Sequence, residues 1–171
     1  MMQGYVHIYT GNGKGKTTAA FGLALRAICS GKKVFIGQFV KGMKYSEVAI
    51  EEHFKNIKIV QFGEKCFIKD APTQKDIKLA QEGINKVKDI IKNNEYDVVI
   101  LDELTIALYF KLIDIECILE LIKNKPESLE LIITGRYAPQ ELIDAADLVT
   151  EMKEIKHYYN KGVLARKGID C

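Results

Sequence analysis

Proline is scarce in this chain, tryptophan is absent, and charge of one sign hardly accumulates. There are 3 Pro, and 25 Lys and Arg face 23 Asp and Glu in 171 residues, for a formal net charge of +2. So few prolines, with only 13 Gly, argue against a disordered or collagen-like chain. The balanced charge gives no broad electrostatic footprint for nucleic acid. Apolar runs such as Val98-Val99-Ile100-Leu101 are far too short to cross a bilayer. The opening Met1-Met2-Gln3-Gly4-Tyr5-Val6 has no basic segment followed by an apolar signal core. Cys29, Cys66, Cys117 and Cys171 form no C-x-x-C pair, and His7, His53 and His157 form no H-x-x-x-H pair. That spacing speaks against a disulfide framework and against a structural zinc site. The expectation is a cytoplasmic protein with neither a membrane nor a nucleic-acid partner.

What is present is an apolar share of 47%, enough for one domain with a substantial core, so residues 1–171 read as a single unit. Apolar, β-rich runs at residues 6–10, 33–39, 57–62, 97–102, 129–134 and, less strongly, 148–152 alternate with helical patterns. Most runs are continuously apolar, as strands buried on both faces are. Residues 16–30 are rich in Ala and Leu and stop at Gly31. Residues 73–94 follow Pro72 with a capping Thr73 and set Ile77, Ala80, Ile84, Val87 and Ile91 on one face. Shorter helices are expected at 115–123 and 139–146, and residues 156–171 read as an irregular tail wrapped over the site. The fold class is α/β, with a central, mainly parallel sheet of about six strands flanked by helices.

The most informative segment is Thr10-Gly11-Asn12-Gly13-Lys14-Gly15-Lys16-Thr17-Thr18, between the first strand and the first helix. Against G-x-x-x-x-G-K-[ST], Gly15-Lys16-Thr17 are in place, while Thr10 stands where the first glycine is usual. Glycines let the backbone curl so that successive N–H groups face an anion. The helix beginning near Lys16 adds unpaired N–H groups and the positive end of its dipole. The Lys16 ammonium neutralises phosphate oxygens, and the Thr17 hydroxyl is placed to ligate Mg²⁺. Lys14 and Thr18 add further phosphate contacts. A plain strand-to-helix turn needs one or two glycines, not three at alternate positions followed by Lys-Thr-Thr.

The buried run ending in Leu101-Asp102-Glu103 supplies a carboxylate to the Mg²⁺ beside such a loop, with Asp102 and Glu103 both open as the ligand. Arg136, in Thr134-Gly135-Arg136, closes the next core strand at the edge where open α/β sheets bind ligands, and is a phosphate candidate or a surface arginine. Arg26 falls about two and a half turns into the first helix, away from the loop. On position alone it reads more readily as a solvated arginine than as a nucleotide or subunit contact.

Taken together, several segments resemble the ATP:corrinoid adenosyltransferases, the P-loop type of cobalamin synthesis and salvage. They are Thr-Gly-Asn-Gly-Lys-Gly-Lys-Thr-Thr-Ala-Ala-Phe-Gly at 10–22, Gln38-Phe39-Val40-Lys41-Gly42, Leu101-Asp102-Glu103-Leu104-Thr105, Ile133-Thr134-Gly135-Arg136, Ala146-Asp147-Leu148-Val149-Thr150-Glu151-Met152, Lys156-His157 and Gly168-Ile169-Asp170. The resemblance implies a RecA-like P-loop fold and a homodimer. It implies transfer of the 5′-deoxyadenosyl group of ATP to cob(I)alamin or cobinamide, with release of triphosphate and ATP lying reversed in the loop. A reductase such as a flavodoxin is the electron donor it allows for. By the same resemblance Gly11, Asn12, Gly13, Lys14, Gly15, Lys16, Thr17 and Thr18 bind the triphosphate. Arg26 and Arg136 lie on the nucleotide side, and Thr17 with Glu103 is the better Mg²⁺ pair. Members often carry a Gly-Phe-Thr-Trp-like segment after the third strand; here the region reads Lys65-Cys66-Phe67-Ile68-Lys69, and Phe67 is the candidate corrinoid contact.

The residue set suits that chemistry. A kinase must orient or deprotonate an oxygen nucleophile, whereas Co(I) carries its own electron pair. Lys16 is then the catalytic residue, stabilising the departing triphosphate. The competing readings are a P-loop phosphotransferase, such as a small nucleotide kinase, and a RecA-like ATP-regulated binding module.

Overall fold

The computed structural model describes residues 3–43, 45–64 and 71–170. Phe67 and its neighbours therefore lie outside the described residues. Six strands form one parallel sheet: β1 (Val6–Thr10), β2 (Val34–Phe39), β3 (Ile57–Phe62), β4 (Val98–Asp102), β5 (Glu130–Thr134) and β6 (Leu148–Glu151). The sheet order is β3-β2-β4-β5-β1-β6. β5 thus lies between β1, which feeds the glycine loop, and β4, which ends in the acids. This is the RecA-like P-loop arrangement that the resemblance implies.

Helices cover both faces, which is why β2 and β4 are buried along their whole length. On one face α1 (Lys16–Cys29) sets Ala20, Ala24, Ala27 and Ile28 against Val34, Ile36, Ile59, Val98, Ile100 and Ile132. On the other, α2 (Gln74–Lys92), α3 (Leu104–Tyr109), α4 (Ile115–Asn124) and α5 (Gln140–Asp144) close over Ile8, Phe35, Phe39, Val99, Leu101, Leu131 and Ile133. The small alanines of α1 let that helix approach the sheet closely, which brings its first turn to the strand ends. Thr73 and Asp76 form a reciprocal capping box that starts α2.

The six strand positions and four of the five α-helices match the sequence reading to within two residues at each end. α3 was not anticipated. It is a single short apolar segment with no separate start signal, nucleated where Glu103 leaves β4 in a left-handed conformation (φ 58°). The tail is irregular apart from a 3-10 turn at Tyr158–Lys161, and it does return to the glycine loop.

Candidate active site

The loop after β1 takes its shape from two close approaches. Gly11 has φ 96°, and a Cβ on it would lie 2.5 Å from the carbonyl oxygen of Met152. Gly13 N–H donates to that same carbonyl at 2.6 Å, and Met152 N–H donates to Thr10 at 2.8 Å. The end of β6 therefore forms the floor of the loop, and only glycine fits against it. Past this floor α1 begins at Gly15 (φ 120°) with no side-chain cap and no acidic residue in its first turn. Such an end leaves first-turn N–H groups and the positive dipole end for an anion.

Lys16 is buried and folds back on the loop, donating to the carbonyls of Gly11 (2.8 Å) and Gly13 (2.7 Å). Burial holds its ammonium below the ordinary lysine range, with Glu103 pulling the other way. Phosphate oxygens would replace those two carbonyls with charged acceptors. Gly13, Lys14, Gly15, Lys16, Thr17 and Thr18 line a cleft of about 750 Å³. Gly11 shapes the loop from behind and Asn12 is exposed beside it.

Next to the loop runs a row of polar side chains at the carboxyl ends of four strands. Gln61, Gln38 and Asp102 are in register across β3, β2 and β4, and Thr134 ends β5 beside Asp102. Asp102 is fully buried and accepts four hydrogen bonds. Thr17 Oγ1 (2.9 Å) and Thr134 Oγ1 (2.7 Å) donate to Oδ1; Lys41 Nζ (2.8 Å) and Gln38 Nε2 (3.2 Å) donate to Oδ2. Every buried polar group in this row thereby has a partner. Lys41 stays charged: burial lowers its proton affinity, but Asp102, Glu103 and Glu47 together raise it above the ordinary value.

Strand alternation places Asp102, like Val98 and Ile100, on the α1 side of the sheet. Glu103 would face the other way were the strand to continue. Its left-handed backbone instead turns it to the cleft, which Glu103 lines while Asp102 stays buried behind it. Burial, then the Asp102 charge, pushes the Glu103 carboxyl above the ordinary range, and Lys41, Lys16 and Arg136 oppose this. Thr17 and Asp102, the pair in direct contact, differ from the Thr17 and Glu103 pair that the resemblance favoured.

Gly135 and Thr105 fix the turn that carries Arg136. Thr105 Oγ1 donates to the Arg136 carbonyl at 2.6 Å, and a Cβ on Gly135 (φ 135°) would lie 2.2 Å from that hydroxyl. Arg136 is thereby held on the cleft wall near Lys16 and Glu103. Arg26 is not brought there; it is exposed in the last turn of α1, with Tyr9 in its field.

The tail supplies the remaining wall. Lys14 donates to Tyr158 Oη (3.1 Å), the Ile169 carbonyl (2.8 Å) and Asp170 Oδ1. Asp170 also accepts from Tyr158, and from Arg166 N (3.1 Å) and Nε (3.0 Å). These bonds, led by the one from Lys14, hold the Asp170 carboxyl well below the usual carboxylate range. Lys41, Gln38, Thr134, Tyr158 and Asp170 carry no role in the sequence reading. The usable signals were a Gln inside an otherwise apolar strand and polar residues at several strand ends.

The parallel sheet order, the glycine loop with its lysine, and the bond from Thr17 in α1 to Asp102 at the end of β4 place the chain among α/β proteins of the P-loop type. A family model described as ATP:corrinoid adenosyltransferase BtuR/CobO/CobP matches residues 2–171. The chain is 35% identical to a corrinoid adenosyltransferase of Sinorhizobium sp, over 98% of this chain and 80% of that protein. It is 34% identical to the corrinoid adenosyltransferase of Escherichia coli (strain K12), over 98% of this chain and 86% of that protein. The value is also 34% for the corrinoid adenosyltransferase CobA of Salmonella typhimurium, with the same two shares. The chain belongs to the ATP:corrinoid adenosyltransferase family and is an enzyme that transfers the adenosyl group of ATP to a corrinoid.

Proposed function

We propose that the loop, Lys16 and Mg²⁺ hold the triphosphate of ATP as a leaving group while the Co(I) centre of a corrinoid attacks the ribose C5′. The cobalt lone pair forms the Co–C bond, the C5′–O bond breaks, and its electron pair leaves on the triphosphate. Cobalt goes formally from Co(I) to Co(III), and no proton moves. The observation that carries this reading is the convergence of Lys14, Lys16, Lys41 and Arg136 with an uncapped helix start on one cleft. Fixed positive groups of this kind favour charge that develops on a departing anion, and the cleft aligns the two reactants.

The residues present suit Mg²⁺. Thr17, Asp102 and Glu103 offer hard oxygen donors, and a cation, the Lys41 ammonium, already lies beside Thr17 and Asp102. Bound there, Mg²⁺ would neutralise triphosphate oxygens and strengthen the leaving group. Thr17 and Asp102 would hold it, with Glu103 on the cleft side.

The same reading includes a cytoplasmic homodimer and a reductase as electron donor. Among the described residues no helix is long and apolar enough to cross a membrane. Arg26, outside this chain's cleft, would then serve nucleotide only through a partner subunit. Phe67 is assigned to the lower face of the corrinoid, where an apolar group excludes an axial ligand and eases reduction to Co(I). The test is anaerobic incubation with MgATP and chemically reduced cobalamin. Adenosylcobalamin and inorganic triphosphate in equal amounts support the reading; ADP or a phosphorylated acceptor would assign the site to phosphoryl transfer.

A further inference from the structure

Lys41 is drawn to the cleft by its backbone. β2 ends at Phe39, and Val40 takes a left-handed conformation (φ 57°), uncommon for a β-branched residue, which turns the next side chain back over the sheet edge. Its side chain is only 12% exposed, with Nζ 2.8 Å from Asp102 Oδ2, 3.5 Å from Thr17 Oγ1 and 3.8 Å from Glu47 Oε1, and 5.3 Å from the Tyr45 ring centroid. A lysine serving only to neutralise a buried acid has no need to border the nucleotide; Lys41 lines the same cleft as Lys16 and Arg136.

Two cations cannot both press on these oxygens at contact distance without strong repulsion. A buried Asp102 without any cation would itself be costly. We propose that Lys41 is a placeholder cation and then a second triphosphate-binding lysine. Without the metal its ammonium neutralises the Asp102 carboxylate, which itself holds the Thr17 hydroxyl. When Mg²⁺ arrives it cedes that place and turns to the triphosphate oxygens. This rests on the Mg²⁺ reading above and goes beyond it by giving Lys41 two successive partners.

The test uses Mn²⁺ as the metal probe, followed by electron paramagnetic resonance, with and without inorganic tripolyphosphate, on the whole chain and its Lys41→Gln variant. The variant is expected to bind Mn²⁺ alone about tenfold more tightly, a modest share of the repulsion removed. It is expected to bind tripolyphosphate about tenfold more weakly, having lost one charged contact. These opposite signs mark the proposal, because a merely structural lysine would weaken both. Mn²⁺ affinity equal to or below that of the unaltered chain would overturn it. A variant that does not fold leaves a second measurement, on the unaltered protein. Acetylation of Lys41, read by mass spectrometry, should rise with Mg²⁺ alone and fall again when tripolyphosphate is added. Reactivity that Mg²⁺ does not change overturns the exchange. If Mn²⁺ fails to bind the unaltered chain even with tripolyphosphate, the Mg²⁺ reading falls, and this one with it.

Discussion

Thr17, in the first turn of α1, donates its hydroxyl to Asp102 at the end of β4, 2.9 Å away and 85 residues further along the chain. The bond ties the phosphate loop to the acid strand across the intervening β5. Because Asp102 also holds Thr134 and Lys41, one carboxylate joins α1, β4, β5 and the segment after β2.

Asp102→Ala should cost about 3–5 kcal/mol, since it takes the close partner from a buried Lys41 charge, leaving only Glu47 at 3.8 Å, and opens a cavity. For a chain of this size the melting temperature should fall on the order of 10 °C. The double variant Asp102→Ala with Lys41→Met should recover much of that loss, because replacing both partners of a buried pair is often nearly neutral. Adenosyl transfer should stay lost in both. Calorimetry together with a turnover assay checks this; a double variant no more stable than the single one would contradict the pairing.

Lys16→Ala removes two bonds to loop carbonyls and, on the proposed reading, the charge that stabilises the leaving group. Turnover should fall by about two to three orders of magnitude, as for other deletions of a preorganised charge-stabilising group. The melting temperature should change little. Steady-state kinetics beside circular dichroism separates the two effects, and near-normal turnover would remove Lys16 from the reaction.

Asp170 links pH to the position of the tail. Its folded-state pKa is depressed below the ordinary aspartate value of 3.8 by Lys14, Tyr158 and Arg166. The docking it contributes is therefore fully present above that value and is lost as pH falls toward the folded pKa. Hydrogen-exchange protection in residues 158–170, taken relative to the intrinsic rate at each pH, should hold near neutrality and be lost only in acid. Asp170→Asn should show fast exchange there at neutral pH, with a raised KM for ATP because Lys14 loses its anchor. Unchanged exchange in that variant would show that other contacts hold the tail.

Gly135→Ala should destabilise the protein by about 1–3 kcal/mol through backbone strain alone, and more where the added methyl meets Thr105. Arg136 would shift with the turn, so activity should fall too. Gly22→Ala, in α1 with nothing within 4 Å of the new atom, should instead stabilise by about 1 kcal/mol. Thermal melts of the two variants should move in opposite directions.

The layout of the sheet was readable because the buried strands are continuous apolar runs and the helices between them carry clear period and stops, as at Gly31 and Thr73. The loop was readable because its alternate glycines and the Lys-Thr-Thr after them stand together in the chain, although the Met152 backbone that Gly11 and Gly13 pack against is distant. Strand alternation could not settle Asp102 against Glu103, because Glu103 leaves the strand in a left-handed turn that brings it to the cleft and not to the far face of the sheet. Lys41 and Asp170 were silent for a different reason. Each gains its meaning from a partner 61 or 156 residues away, and only the folded chain supplies that distance.

The central claim is that the glycine loop grips a triphosphate that leaves whole. It is tested most directly with ATP carrying ¹⁸O at the ribose 5′ oxygen, supplied with reduced cobalamin under anaerobic conditions. Mass spectrometry should find the label in the released triphosphate and none in the adenosyl product. Label retained on the nucleoside, with the phosphate chain cut between phosphorus and oxygen, would contradict the account.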